Sequence, residues 1–167
     1  VLMSSMGMYA FAVLLAMAIH GLLFLPLIYI SVTRRSFREL LSNVALPLVM
    51  AFSTASSMST APATIAVLEE RRRLDPRLVR LLVPAASVIN MDGTSIYITV
   101  STIFFAQVHT TALYVYDYFL IGLLGIVASM ASEGIAAPGF IRLYLVMSTL
   151  GMPAEDVSAL LLTDWIL

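Results

Sequence analysis

The sequence predicts an all-α membrane protein with spanning helices, two oppositely oriented re-entrant helical hairpins, and a helix broken at 90–94. The first observation is composition: 60% of the 167 residues are hydrophobic and 11% are charged, whereas soluble domains are about half apolar and about a quarter charged. The second is that apolar runs of full or half spanning length follow one another along the chain. The third is that polar stretches rich in small residues interrupt these runs at 53–60, 90–94 and 131–139.

Charge and cysteine usage exclude several classes of protein. The formal net charge is -1, and most of the nine basic residues, all arginine, lie within 34–38 and 71–80, so no basic face remains for nucleic acid. The chain has no cysteine, which excludes disulfides, thiolate nucleophiles and cysteine metal sites. Because the sequence opens on Val1 and closes within an apolar helix, we expect it to be part of a longer protein.

The first element is a spanning helix over 6–33. It ends at the basic pair Arg34-Arg35, so the positive-inside rule directs it from the outside to the cytoplasm. His20 and Pro26 are the unusual residues within it. We interpret them as a helix-packing histidine and a tolerated kink rather than as a proton relay, and assign them no role.

The segment 40–70 is predicted to be a cytoplasmic re-entrant hairpin. A single span here would place the two arginine clusters on opposite sides of the membrane, against the positive-inside bias. Its middle, 53–60, is almost entirely Ser, Thr and Ala, and we expect an irregular tip at 56–62 that faces a watery cavity. The alternative is a small-residue motif for helix packing.

The segment 77–108 is predicted to be a spanning helix broken near its middle. The runs 78–89 and 95–108 are each too short to span, since a membrane helix needs ~20 apolar residues. Between them lies Asn90-Met91-Asp92-Gly93-Thr94, which places Asp92 near the midplane. A charge there costs on the order of 3 kcal/mol, so Asp92 is a candidate functional residue. The alternative is a capping turn in a soluble loop.

The segment 114–150 is predicted to be an extracellular re-entrant hairpin, since the loops before and after it carry no basic residue. A last helix begins at 154 and continues to 167. Two hairpins of opposite orientation thus flank an unwound stretch. Opposed half-helices that meet at the midplane are typical of secondary transporters, where free amides and carbonyls bind substrate and ions.

In the two hairpins and in the break between them, the chain resembles the sodium-coupled dicarboxylate/amino acid symporter family, which includes the excitatory amino acid transporters. Asn90-Met91-Asp92-Gly93-Thr94 is similar to the family signature, and 56–62 and 129–135 are similar to its two hairpin tips. The resemblance covers essentially the whole chain, as the C-terminal transport-domain portion of such a protein.

The resemblance implies sodium-coupled symport of acidic amino acids such as glutamate and aspartate by an elevator-like mechanism. It implies a multi-pass protein of the cell membrane that forms a homotrimer through an N-terminal scaffold outside this segment. Sodium would be the coupling ion, with no cofactor and no catalytic residue. The alternatives are a neutral amino acid or dicarboxylate symporter of the same family, and a noncoupling or anion-conducting homologue.

The resemblance also implies two sets of site residues. Hard oxygen ligands suit a hard cation, and several of the implied sodium ligands act through backbone carbonyls. The implied sodium ligands are Asn90, Asp92, Met91, Val88, Ser129, Met130 and Ser132. The implied substrate-binding residues are Ser56, Ser57, Thr94, Gly134 and Ile135.

Four positions depart from the family pattern. Met58 replaces a usual serine, and Ala136 replaces an expected proline. Ile98 occupies the position of a proton-linked glutamate, so we expect no proton coupling by that route. Glu133 adds a carboxylate that repels an acidic substrate or favours a cation, or else simply faces external water. The residues that select the substrate in the family would lie beyond 167, so the choice of substrate stays open.

Two other functional classes fit less well. A channel can be lined by re-entrant loops, but the two tips differ and no filter motif is repeated. An intramembrane aspartyl protease would draw on Asp92 and on Tyr116-Asp117, but the Gly-x-Gly-Asp that such a site needs is absent. We therefore do not expect an enzyme.

Overall fold

The computed structural model describes residues 2–70, 74–89, 91–108, 113–130 and 139–151. All regular secondary structure among these residues is helical, which confirms the all-α prediction. The helices are α1 Leu2–Ile19, α2 Leu25–Thr33, α3 Phe37–Thr54, α4 Ser57–Glu70, α5 Pro76–Ile89, α6 Asp92–Val108, α7 Val115–Met130 and α8 Gly139–Thr149, with a π-helical turn, His20–Phe24, between α1 and α2.

Two helical segments are long and apolar enough to cross a membrane. They are Met6–Thr33 and Pro76–Val108, with bounds close to the predicted 6–33 and 77–108; the second contains α5 and α6 and passes over Asn90, which lies outside the described residues. The predicted hairpins correspond to the helix pairs α3–α4 and α7–α8, and their re-entrant course remains a prediction. The predicted last helix, 154–167, lies outside the described residues.

The chain divides into two compact units. Val1–His20 and Met91–Leu167 form the first unit, and Gly21–Asn90 form the second. The boundary falls at the π-helical turn in one predicted span and at the predicted break in the other. The π-helical turn lies just before Pro26, whose ring would clash with the carbonyl of residue 22 in a regular α-helix. The wider turn relieves that clash.

Helix α6 is the centre of the first unit and packs against α1, α7 and α8. The buried core consists of Tyr9, Val13, Tyr97, Ile98, Phe105, Leu143, Val146 and Met147. One buried hydrogen bond joins α1 to α6, between the Tyr9 hydroxyl and Ser101 Oγ at 2.7 Å. Ser101 Oγ donates its own proton to the Tyr97 carbonyl at 2.6 Å, so Tyr9 is the donor to Ser101. The hydroxyl groups of Tyr9 and Ser101 are therefore both hydrogen-bonded inside this apolar core.

Helices α6 and α7 approach each other closely at Gly125, which is buried. A Cβ atom at Gly125 would lie 2.5 Å from Thr99 Oγ1 and 3.3 Å from the Ser95 carbonyl oxygen. The short connection between these two packed helices makes them antiparallel. Moving one turn forward along α7 from Gly125 therefore corresponds to moving one turn back along α6, towards its start.

In the second unit, α3 and α4 pack together and are joined by only two residues, Ala55 and Ser56. Ala55 ends α3 in the left-handed conformation, with φ of 48°. Ser56 caps α4, because its Oγ accepts the Ser59 backbone N–H at 3.3 Å. Helix α4 packs in turn against α5, where the Arg80 guanidinium donates two hydrogen bonds to the Glu69 carboxylate, at 2.8 and 3.1 Å.

The irregular tip predicted at 56–62 is shorter in the structure, because α4 already begins at Ser57. Several hydroxyl groups of this region form hydrogen bonds within the helices. Thr60 Oγ1 donates to the Ser57 carbonyl at 2.8 Å, and Thr54 Oγ1 donates to the Met50 carbonyl at 2.8 Å. Polar composition therefore did not require an unwound backbone here.

Candidate functional site

Asp92 is the first residue of α6, within the apolar segment Pro76–Val108. The carbonyl of Met91 accepts the Ser95 N–H at 3.0 Å, which closes the first turn of the helix. The Asp92 carboxylate thus lies at the positive end of the helix dipole, where a negative charge is stabilised. Its side chain is 36% exposed.

The unwound stretch predicted at 90–94 must be corrected. Asp92, Gly93 and Thr94 belong to the first turn of α6, and Met91 is non-helical. Asn90 lies outside the described residues. An aspartate is favourable in the first turn of a helix, so the polar composition of this stretch serves a helix start.

His20 contacts Asp92 directly. The distance between His20 Nε2 and Asp92 Oδ2 is 3.1 Å, and the histidine side chain is 26% exposed. Both residues belong to the first unit. The interpretation of His20 as a packing residue alone was therefore incomplete. The signal that could have found this contact is that polar groups in membrane segments usually pair with one another.

The contact is part of a regular antiparallel arrangement of α1 and α6. Near the middle of α1, Tyr9 bonds Ser101 in the middle of α6. Just after the end of α1, His20 bonds Asp92 at the start of α6. The partner residue moves back along α6, from 101 to 92, as the chain moves forward from 9 to 20, so the two segments are antiparallel. The two hydrogen bonds therefore join them at two separate points along their length.

The C-terminal end of α7 carries two of the implied sodium ligands, Ser129 and Met130. The Ser129 hydroxyl is buried and donates to the Ile126 carbonyl at 2.8 Å. The backbone carbonyls of the last turn of a helix receive no hydrogen bond from backbone N–H groups of the same helix. They form the negative end of the helix dipole. Ser129 is one turn beyond Gly125 in α7, and Met91 is one turn before Ser95 in α6. The antiparallel register therefore brings the end of α7 towards the start of α6.

Five of the implied residues that the structure describes belong to the first unit and lie at these two helix ends. They are Met91, Asp92 and Thr94 at the start of α6 and Ser129 and Met130 at the end of α7; Thr94, in the first turn of α6, is half-buried. Ser56, Ser57 and Val88 belong to the second unit, where Val88 lies in the last turn of α5. The remaining implied residues, Asn90, Ser132, Gly134 and Ile135, lie outside the described residues, as do Glu133 and Ala136.

The oxygen-rich donor set at these helix ends suits a hard cation. It combines one carboxylate with backbone carbonyls, which are the ligand types that sodium and other hard cations prefer. Within the described ranges, no three His, Asp or Glu side chains cluster as they would around a transition metal. Ile98 is fully buried in the apolar core of the first unit.

Comparison with known proteins agrees with the motifs. The profile of the family described as Sodium:dicarboxylate symporter family matches residues 1–167. Excitatory amino acid transporter 3 from Bos taurus is 36% identical over 162 residues, which are 97% of this chain and 31% of that protein. The putative sodium-dependent excitatory amino acid transporter glt-3 from Caenorhabditis elegans is 39% identical over 163 residues, 98% of this chain and 30% of that protein.

Excitatory amino acid transporter 2 from Homo sapiens is 36% identical over 162 residues, which are 97% of this chain and 28% of that protein. The chain thus spans less than a third of the length of each of these relatives. The match over the whole chain, together with the signature 90–94 and the helical architecture, shows that the chain belongs to the sodium:dicarboxylate symporter family of membrane transporters.

Proposed function

We propose that this chain is the substrate-carrying part of a sodium-driven symporter for acidic amino acids such as glutamate and aspartate. The observation that carries the proposal is the carboxylate of Asp92 at the start of α6, held by His20 within an apolar segment. Such a group is expensive at membrane depth and is retained where it binds an ion or substrate. The names of the relatives, which describe excitatory amino acid transporters, support the choice of substrate.

Asp92 supplies the charged ligand for sodium in this proposal. The carbonyls of Ser129 and Met130, at the negative end of α7, and the sulfur of Met91 contribute to a second sodium site. Both helix ends belong to the first unit, and their register supports this grouping. Asn90, Val88 and Ser132 are included on the resemblance alone.

The substrate carboxylate is bound by backbone amides at a helix start. Ser56 caps α4 by accepting the Ser59 N–H, and Ser57 is the first residue of the helix, so the other amides of the first turn are suited to an anion. Thr94 offers a hydroxyl group on α6. Gly134 and Ile135 are proposed as a second group of amide donors on the resemblance alone.

Transport follows an elevator-like displacement of this part against a scaffold elsewhere in a homotrimer, in a multi-pass protein of the cell membrane. Sodium is the coupling ion. Because Ile98 is apolar and buried, coupling does not include a proton carried at that position.

The test is sodium-dependent uptake of labelled L-aspartate into proteoliposomes that contain the full-length protein. We expect uptake to require an inward sodium gradient and to collapse in Asp92→Asn, which has the same shape without the charge. The matched control is Asp75→Asn at the start of α5. Asp75 Oδ1 accepts the Arg77 N–H at 2.9 Å, and asparagine can cap a helix equally well, so uptake should be retained.

Four results would contradict parts of the proposal. Uptake without a sodium gradient, or normal uptake by Asp92→Asn, would remove the ion role of this carboxylate. Uptake of a labelled neutral amino acid in place of aspartate would instead favour the neutral branch of the family, and anion currents without uptake would favour a noncoupling homologue.

A further inference from the structure

The hydrogen bond between His20 and Asp92 joins two residues of the first unit that are far apart in the sequence. Its length is 3.1 Å, between Nε2 and Oδ2, and it is partly buried. Nε2 can donate to the carboxylate when the ring proton is on that nitrogen.

We propose that His20 is a positioning residue for the Asp92 carboxylate, so that its oxygens are presented to sodium in one fixed orientation. This inference rests on the proposed role of Asp92 as a sodium ligand. A carboxylate has about four lone-pair sites, so one hydrogen bond to Oδ2 leaves capacity for a cation.

A fixed orientation matters because an aspartate side chain has two rotatable bonds and a binding site tolerates ligand errors of only about 0.5 Å. The imidazole ring is rigid and reaches Asp92 from a helical segment rather than from a loop. Hydrogen bonds from a neighbouring group to a metal-binding carboxylate are a general device for fixing its geometry. His20 therefore orders the ligand before the ion arrives.

The local structure holds His20 in place. It is the first residue of the π-helical turn His20–Phe24, a type of distortion that is frequent at functional sites. Helix α1, which precedes it, makes a separate buried hydrogen bond to α6, from Tyr9 to Ser101, away from Asp92. The chain therefore offers a control: Tyr9→Phe removes the other hydrogen bond of the same pair of segments without touching Asp92.

The test compares four variants of the full-length protein: His20→Leu, His20→Gln, His20→Asn and Tyr9→Phe. The side-chain amide nitrogen of glutamine lies about where Nε2 of histidine does, whereas that of asparagine is too close to the backbone. Two quantities are measured: the sodium concentration that gives half-maximal L-aspartate uptake, and the sodium-dependent rise in the melting temperature of the purified protein without substrate.

We expect His20→Leu to raise the half-saturating sodium concentration about 10-fold or more, as changes beside metal ligands commonly do. His20→Gln should remain close to the parent protein, and His20→Asn should behave like His20→Leu. Tyr9→Phe should lower the melting temperature without sodium and leave the half-saturating concentration unchanged. If His20→Leu does not fold, the difference between glutamine and asparagine decides the question.

The inference is overturned if His20→Leu leaves the half-saturating concentration unchanged or lowers it, because the imidazole would then be irrelevant to sodium or would compete with it. It is also overturned if Tyr9→Phe shifts that concentration equally, or if glutamine and asparagine behave alike. A parent protein whose uptake and melting temperature do not respond to sodium would overturn the proposed function, and this inference with it. Loss of the sodium response in Asp92→Asn with no effect of His20→Leu would leave the proposed function standing and refute the inference alone.

Discussion

Replacing Gly125 by alanine tests how closely α6 and α7 must approach. A Cβ atom at this position would lie 2.5 Å from Thr99 Oγ1, far inside van der Waals contact, and 3.3 Å from the Ser95 carbonyl. Either Thr99 rotates or α7 moves away from α6. Overpacking of this kind costs about 1–3 kcal/mol.

The same helix provides the matched control. Gly122 also lies in α7, but a Cβ atom there would meet nothing within 4 Å. Both substitutions gain about 0.5–1 kcal/mol because alanine favours the helix over glycine. Gly122→Ala should therefore stabilise the protein by that amount. The difference between the two variants isolates the packing term, which we expect to be about 1–3 kcal/mol.

The assay is reversible unfolding of the purified protein in mixed micelles, by titration with sodium dodecyl sulfate. Adding Thr99→Ala to Gly125→Ala removes the atom that the new methyl group meets, so the penalty should shrink to that of the milder contact with Ser95. Because α7 carries Ser129 and Met130 at its end, Gly125→Ala should also raise the half-saturating sodium concentration for uptake. Equal stability of the Gly122 and Gly125 variants would refute the packing register on which the proposed sodium site depends.

Two further predictions concern the second unit. Ala55 ends α3 with φ of 48°, a left-handed conformation that costs an L-residue roughly 1–2 kcal/mol, so Ala55→Gly should stabilise the protein and Ala55→Val should destabilise it in the same titration. The hydrogen bonds from Arg80 lower the pKa of Glu69 below its ordinary value of 4.5, so the ion pair contributes stability above that pH and loses it as the pH falls through the lowered value. The parent protein and Glu69→Gln should therefore differ only slightly in unfolding midpoint. This difference should stay constant from neutral pH down to about pH 5 and disappear in stronger acid. A difference that grows in acid would contradict this account of the ion pair.

The sequence was sufficient for the class of protein and for the approximate positions of the helices. Composition indicated a membrane protein, and the apolar runs placed the spans 6–33 and 77–108 close to the helical segments Met6–Thr33 and Pro76–Val108. The signature 90–94 carried the resemblance to the family, and the match over residues 1–167 confirms it. These features depend on the composition of one segment at a time, because the preference for lipid is summed over about 20 consecutive residues.

The local backbone was harder to predict from polar composition. The tips and the break were expected to be irregular, yet Asp92, Gly93 and Thr94 start a helix, and so does Ser57. The reason is that Ser, Thr and Asp satisfy helix termini and the carbonyls of the preceding turn as readily as they form loops.

What the sequence alone determined is the hydrophobic layout, the family and the list of candidate ligands. Only the tertiary structure decided which of those ligands share a unit, and that His20 bonds the carboxylate of Asp92. It also decided the register of α6 against α7, which depends on the space left by Gly125. Such contacts join residues distant in the chain, and no periodicity within one helix specifies the face or the level at which another helix will meet it.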